Sequence, residues 1–167
     1  NNGGHGGVDV QLVPVTIGVQ TVDAGLDAGD GTPDTWVVAK TGSTITVTIN
    51  GNLALSIEDT DLHVLDLVGS IDDDIFQVDH AQGNPVPAGG LDIDGGLQSG
   101  EALDSLEISG ATSNNVRHRF ETATDGTVEY DLVVEVRYRG IERITDQLTA
   151  STREFDFGPG DNTVTLS

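Results

Sequence analysis

Apolar and polar residues alternate with a period of two along most of the chain, and that period predicts strands. Val8–Val13, Val15–Val22, Thr35–Ala39, Thr44–Ile49, Leu53–Ile57, Leu62–Val68, Ile75–Val78, Leu106–Ser109, Val116–Thr122, Thr127–Tyr138 and Thr163–Leu166 all read this way. Clusters of Gly, Asn, Asp and Pro separate them. The pattern predicts an all-β fold, a single-domain β-sandwich of jelly-roll or immunoglobulin-like type. The longest alternation, Thr127–Tyr138, predicts one strand with Val128, Tyr130, Leu132, Val134, Val136 and Tyr138 on a buried face. Glu129, Asp131, Glu135 and Arg137 take its wet face, with Val133 as the exception.

Three stretches test the pattern further. In TITVTINGNLALSI, Asn50-Gly51 suggests a two-residue hairpin turn. That register puts Leu53, Leu55 and Ile57 on the wrong face. A three-residue loop over Asn50–Asn52 pairs Ile49 with Leu53, Val47 with Leu55 and Ile45 with Ile57, and is the preferred expectation; one strand bent at Gly51 has the same parity. In GIERITDQLTAS, Ile141, Ile144 and Leu148 fall at helical spacing, so residues 140–151 read as a helix or an irregular strand. Residues 81–104 read as a long Gly/Pro-rich connection. No internal repeat is evident.

The N-terminal run changes parity. Val8, Val10 and Leu12 share one face, whereas Val13, Val15, Ile17 and Val19 share the other, and Pro14 sits at the change. A one-residue slip sends side chains to the opposite face of a sheet, so the run reads as two short strands with two destinations. The first strand either switches sheets inside its own sandwich or leaves the domain. Pro14 suits both, since it cannot donate to a ladder. In the second reading, residues 1–13 are a donor extension and 14–167 the β-sandwich domain. Val8, Val10, Leu12 and Val13 then insert into a neighbour by main-chain hydrogen bonding.

This separate strand ahead of a β-domain resembles the bundling pilins of archaea. It is also similar to the extracellular fibre family that includes TasA and camelysin. The resemblance rests on Val8–Val22 and on general architecture. It implies polymerisation by donor-strand exchange into an extracellular filament, as a homopolymer with a matrix or adhesion role. Residues 1–25 lack the long apolar helix of a type IV pilin.

Charge sharpens the picture. The 167 residues carry a net charge of −21, with Lys40 the only lysine. So much like charge opposes compaction in dilute buffer. In 1 M salt the screening length falls to about 3 Å and the repulsion is damped. The expectation is a protein of a halophilic archaeon, with an ordinary acidic secreted protein as the alternative. Nucleic acid and anionic lipid are poor partners for such a surface. All six arginines follow residue 116; they either balance nearby acids within the sheet or attract the acidic part of another subunit. No apolar run is long enough to span a membrane as a helix. The chain opens on Asn, which reads as a secreted product whose leader has been removed, or as a trimmed chain.

Candidate chemistry is sparse. His5, His63, His80 and His118 form no pair at metal-ligand spacing. There is no cysteine, GxSxG, phosphate loop or dinucleotide fingerprint. Few aromatics are available as platforms for sugars or bases. No enzyme is expected. Asp23, Asp27, Asp30 and Asp34 cluster in one Gly-rich stretch and are candidate ligands for Ca²⁺, although their spacing is not that of an EF-hand; solvated acidic loops are the simpler reading. Lys40 is read as a surface lysine, with an isopeptide crosslink to Asn or Asp as the sharper alternative. A virion protein (tail tube or capsid) and a monomeric Ca²⁺-dependent binding module are the alternatives to the filament subunit.

Overall fold

The structure, a computed structural model, describes residues 17–23, 32–96, 103–131 and 134–158. Its strands form two sheets. The first runs, edge to edge, β1 (Ile17–Asp23), β5 (Leu62–Val68), β7 (Leu91–Asp94), β11 (Val134–Arg139), β10 (Gly126–Tyr130), β9 (Thr112–Phe120) and β13 (Thr149–Phe157). The second runs β12 (Arg143–Asp146), β8 (Ser105–Ser109), β6 (Ile75–Asp79), β2 (Thr35–Thr41), β3 (Thr44–Ile49) and β4 (Asn52–Glu58). Among the described residues there is no α-helix. The expected all-β class is therefore what the chain forms.

The pairing departs from that of jelly-roll and immunoglobulin-like sandwiches, whose sheets are antiparallel. Among the described residues seven ladders are parallel and four antiparallel. The parallel ladders have a simple origin. Strand pairs β1/β2, β5/β6, β7/β8 and β11/β12 each cross from the first sheet to the second. They stack in the same order in both sheets. The chain thus makes four turns of a flattened coil. The hairpin β3–β4 is inserted after the first turn, and β9–β10 before the fourth. The backbone thus repeats a two-strand unit, although no repeat was evident in the sequence.

Stacking puts equivalent residues in register. Trp36, Phe76, Leu106 and Ile144 align across the second sheet, followed two residues later by Val38, Val78, Ile108 and Asp146. Across the first sheet, Leu65, Leu91 and Val136 align, then Leu67, Ile93 and Tyr138. All but Ile144 and Asp146 are buried in one core shared by both sheets. Trp36 and Phe76 stack with ring centroids 5.4 Å apart. Each such aliphatic side chain contributes about 1.5–3 kcal/mol on burial.

The turns of the coil are also joined by carboxylates at one end. An acid stands immediately before each parallel strand of the second sheet: Asp34, Asp74, Asp104 and Glu142. The backbone N–H of Asp34 donates to Asp74 Oδ1 (3.1 Å), that of Asp74 to Asp104 Oδ1 (2.7 Å), and that of Asp104 to Glu142 Oε2 (2.8 Å). Asn50 extends the row, with its Nδ2 donating to Asp34 Oδ1 at 2.5 Å. Asp74 and Asp104 are wholly buried. Glycines at the ends of first-sheet strands make room for them. A Cβ on Gly69 would lie 2.6 Å from Asp74 Oδ2, and one on Gly95 would collide with Asp104.

Several local expectations change. Thr127–Tyr138 is not one strand but the hairpin β10–β11, with Val128 opposite Val136 and Tyr130 opposite Val134. The loop keeps parity, so Val128, Tyr130, Val136 and Tyr138 are still buried. Asp131 supports the fold-back at φ 51°, accepting the N–H groups of Asn114 and Asn115 at 2.8 and 3.0 Å. Residues 140–151 hold β12 and the start of β13, so the irregular-strand alternative applies. The long connection 81–104 contains β7.

The β3–β4 hairpin combines both expectations. Asn50 and Gly51 have φ of 51° and 76°, as the two-residue turn requires. Ile49 consequently pairs with Asn52. Further along, Val47 still pairs with Leu55 and Ile45 with Ile57, because a bulge between Val47 and Thr48 absorbs one residue. Leu55 and Ile57 reach the core, while Leu53 is left 64% exposed.

Candidate functional site

Two places stand out, an open sheet edge and a cleft at one end of the coil. The edge is β13. It spans nine residues, pairs in parallel with β9, and has nothing on its other side among the described residues. Its apolar residues continue those of β9. Phe155 lies opposite His118 and Phe157 opposite Phe120, with ring centroids 5.3 and 5.0 Å apart. Phe155 remains 46% exposed. The other edges differ. β12 is four residues long, β4 is bulged, and both devices discourage strand addition. Among the described residues β1 is the remaining edge without a further partner strand, with Val19 exposed.

The cleft has a volume of about 380 Å³. It lies at the end of the coil away from the carboxylate row. His80, just after β6, and Tyr130, the last residue of β10, are among its lining residues, with rings edge to face at 5.2 Å. Gly83, Asn84, Thr112, Ser113, Asp131 and Leu148 line the rest with Ala111. His80 is 8% exposed and Tyr130 6%. Neither His80 Nε2 nor the Tyr130 hydroxyl has a hydrogen-bond partner. Burial pushes the His80 pKa below its ordinary value, against a smaller opposing effect of Asp79. Burial, then the charge of Asp146, pushes the Tyr130 phenol far above its own. Both side chains are therefore neutral at pH 7.

Beside the cleft, His118 Nε2 and Asp146 Oδ2 are 3.0 Å apart, and Arg153 Nε donates to the same oxygen at 3.0 Å. Burial alone would raise the Asp146 pKa. The hydrogen bonds from His118, Arg153 and the Leu148 N–H outweigh it and hold the carboxylate well below the usual range. This cluster fixes β9, β12 and β13 to one another. Both carboxylate oxygens of Asp146 are taken by groups of this chain.

The arginines are consumed in the same way. Arg117, Arg119, Arg137, Arg139 and Arg153 all pair with carboxylates of this chain. On the outer face of the first sheet, Thr21, Asp66, Asp92 and Arg137 stand in register across four strands. They line a groove of about 400 Å³. Arg137 holds both oxygens of Asp92, so the groove is an exposed ion-pair network, a weak source of stability. Lys40 Nζ is 2.5 Å from Asp59 Oδ2. That hydrogen bond holds Asp59 below the usual carboxylate range. The pair is a salt bridge with both side chains partly exposed.

Of the residues singled out from sequence, Val8, Val10, Leu12 and Val13 lie outside the described residues, as do Asp27, Asp30 and His5. Asp23 ends β1 and is exposed. Asp34 belongs to the carboxylate row, where its side chain accepts from Asn50. Among the described residues no cluster of three or more His, Asp or Glu could hold a metal ion. Also among them, no helix is long and apolar enough to cross a membrane. The cleft was not legible in sequence. His80 and Tyr130 are fifty residues apart, and each sits in an ordinary alternating strand context; the one signal is that His80 puts a polar residue at the parity of buried Phe76 and Val78.

No protein-family model matches the chain, no curated protein matches it, and no solved structure matches it.

Proposed function

We propose that this protein is the repeating subunit of an extracellular filament, a pilus or biofilm-matrix fibre, built as a homopolymer by donor-strand complementation. The observation that supports the reading is the open β13 edge, with Phe155 half exposed beside Phe157. In this reading the two sheets are the layers of one β-sandwich. Residues 8–13 of a neighbour add to β13 by backbone hydrogen bonds, and Val8, Val10 and Leu12 cover the Phe155 face. The donor precedes β1 and the acceptor is β13, at opposite sides of the first sheet. Such a contact is heterologous and builds an open fibre. The acidic surface fits assembly in the molar salt of a halophilic archaeon.

Electron microscopy in molar salt tests this on three forms: the full chain, a chain lacking residues 1–13, and Phe155→Asp. Fibres from the first and monomers from the other two are expected. Monomers from all three would sink the filament reading in favour of a free-standing binding module. Closed rings or shells would favour a virion protein instead.

A further inference from the structure

The outer faces of the two sheets differ in charge. Across the first sheet one row of side chains runs Asp66, Asp92, Arg137, Thr127, Arg119 and Asp156. Across the second, one runs Leu53, Thr48, Val37, Gln77, Glu107 and Thr145. Five of the first six are charged and one of the second six. Glu107 accepts from Gln77 Nε2 at 2.9 Å. The neighbouring row of the second sheet runs Ser56, Thr46 and Ala39 before it reaches Asp79, whose Oδ1 accepts the Ala81 N–H. Over β4, β3 and β2 these two rows therefore carry no charge, in a chain of net charge −21.

The β3–β4 bulge adds an apolar side chain to the same face. Leu53 pairs with Thr48 rather than with Ile49, so it points outward with Thr48 and away from the core. At 64% it is the most exposed large apolar side chain among the described residues. A regular ladder would have carried it inward with Leu55 and Ile57.

We infer that this outer face of the second sheet, centred on Leu53, Thr48 and Val37, is an interaction surface for the same face of a second copy of the chain. Charge selects that partner. Two copies repel through the rest of their acidic surface, and these rows let them approach without setting carboxylate against carboxylate. Shape and chemistry agree with it. Sheets of equal twist pack face to face, Thr, Ala and Val permit close approach, and a threonine hydroxyl both donates and accepts, so it can pair with its own kind. Four strands by three rows span about 19 × 20 Å, roughly 400 Å² per copy. That is about half of what a stable complex buries on each side, so the contact is weak. It is isologous and closes on itself. It uses the second sheet, and so stands whether or not β13 takes a donor strand; in a fibre it would join two fibres side by side.

The test is a dilution series by NMR of the full, ¹⁵N-labelled chain carrying Phe155→Asp, from about 1 mM to about 0.02 mM in about 2 M KCl. The amides of Thr46, Thr48 and Leu53 are expected to shift together with concentration, while those of Asp92 and Arg137 stay still. Thr48→Lys should weaken the association at least tenfold, although it lowers the net repulsion, and Leu53→Ser should weaken it too. Both variants should melt as the parent does. Thr21→Lys, which adds the same charge on the first sheet, should leave the association intact. Shifts that do not depend on concentration, or an association untouched by Thr48→Lys and Leu53→Ser, would overturn the assignment. Fibres from the wild-type chain with no such association would overturn it and leave the filament reading standing; association without fibres would do the reverse.

Discussion

The backbone amide of Asp74 donates to the carboxylate of Asp104 at 2.7 Å, across thirty residues of sequence. The same relation links Asp34 to Asp74 and Asp104 to Glu142. Each acid thus reads the position of the next turn of the coil. The row does for these turns what side-chain ladders do in stacked repeats, where each unit contacts only its neighbours.

Removing one member should be costly. Asp104→Ala leaves the Asp74 amide buried without its acceptor, so unfolding in urea should show a loss of about 2–3 kcal/mol. Asp74→Asn should also cost stability, because Asp74 takes the Asp34 N–H on Oδ1 and the Ser70 N–H on Oδ2 at 2.6 Å, and an amide side chain keeps only one of these two acceptors. Unchanged stability in either variant would contradict this account of the row.

Two glycines separate strain from crowding. Gly42 has φ 61° with open space around it, whereas Gly96 has φ 95° and a Cβ there would collide with the Ser70 carbonyl. Gly42→Ala should cost about 1 kcal/mol, from backbone conformation alone. Gly96→Ala should cost more than 2 kcal/mol. Thermal unfolding of the two variants makes the comparison.

The His118–Asp146–Arg153 cluster predicts a pH effect. The folded-state pKa of Asp146 is depressed below its ordinary 3.8. Its contribution is therefore fully present above that value and is lost as pH falls through the folded value. Denaturation from pH 6 downward should show wild type losing stability below about pH 4. Asp146→Asn, less stable at pH 6, should lose less over the same window. Parallel curves for the two proteins would remove Asp146 as the cause.

Salt should stabilise the fold. With −21 net charge and most arginines committed to local pairs, long-range repulsion dominates the remaining electrostatics. Screening reaches about 3 Å at 1 M. The melting temperature should rise steadily from 0.1 to about 2 M KCl. A flat or falling profile would show that the surface charge is already balanced.

The bulge in β4 can be checked with two leucines. Leu53→Ser, at an exposed position, should change stability by no more than about 0.5 kcal/mol. Leu55→Ala, against the core, should cost about 2 kcal/mol. Similar effects would mean that the register runs to the turn without a bulge.

Much of the local structure was legible in sequence, since period-two alternation reports which face of a strand is buried. Val37 and Val38, Ile45 and Val47, Leu65 and Leu67 all sit in strands where the pattern puts them. Parity alone, however, does not say whether an alternation continues or folds back. Val128 and Val136 share a face in one long strand and in a hairpin with an odd loop. Asp131 decided between them through two amides of β9, a contact that exists only once β9 is in place. Asn50-Gly51 set the turn by its own backbone preference, and burial of Leu55 and Ile57 set the register; the bulge reconciles the two, and no local rule specifies it. The alternation of turns between sheets follows from neither strand pattern nor spacing. It depends on which strands pair, and pairing is fixed by the joint burial of Trp36, Phe76 and Leu106 and by carboxylates meeting amides dozens of residues away. Composition determined the acidic, strand-rich character of the chain. Tertiary structure alone brought His80 and Tyr130 to one cleft, because two sheets had to close on a single core before their polar ends met.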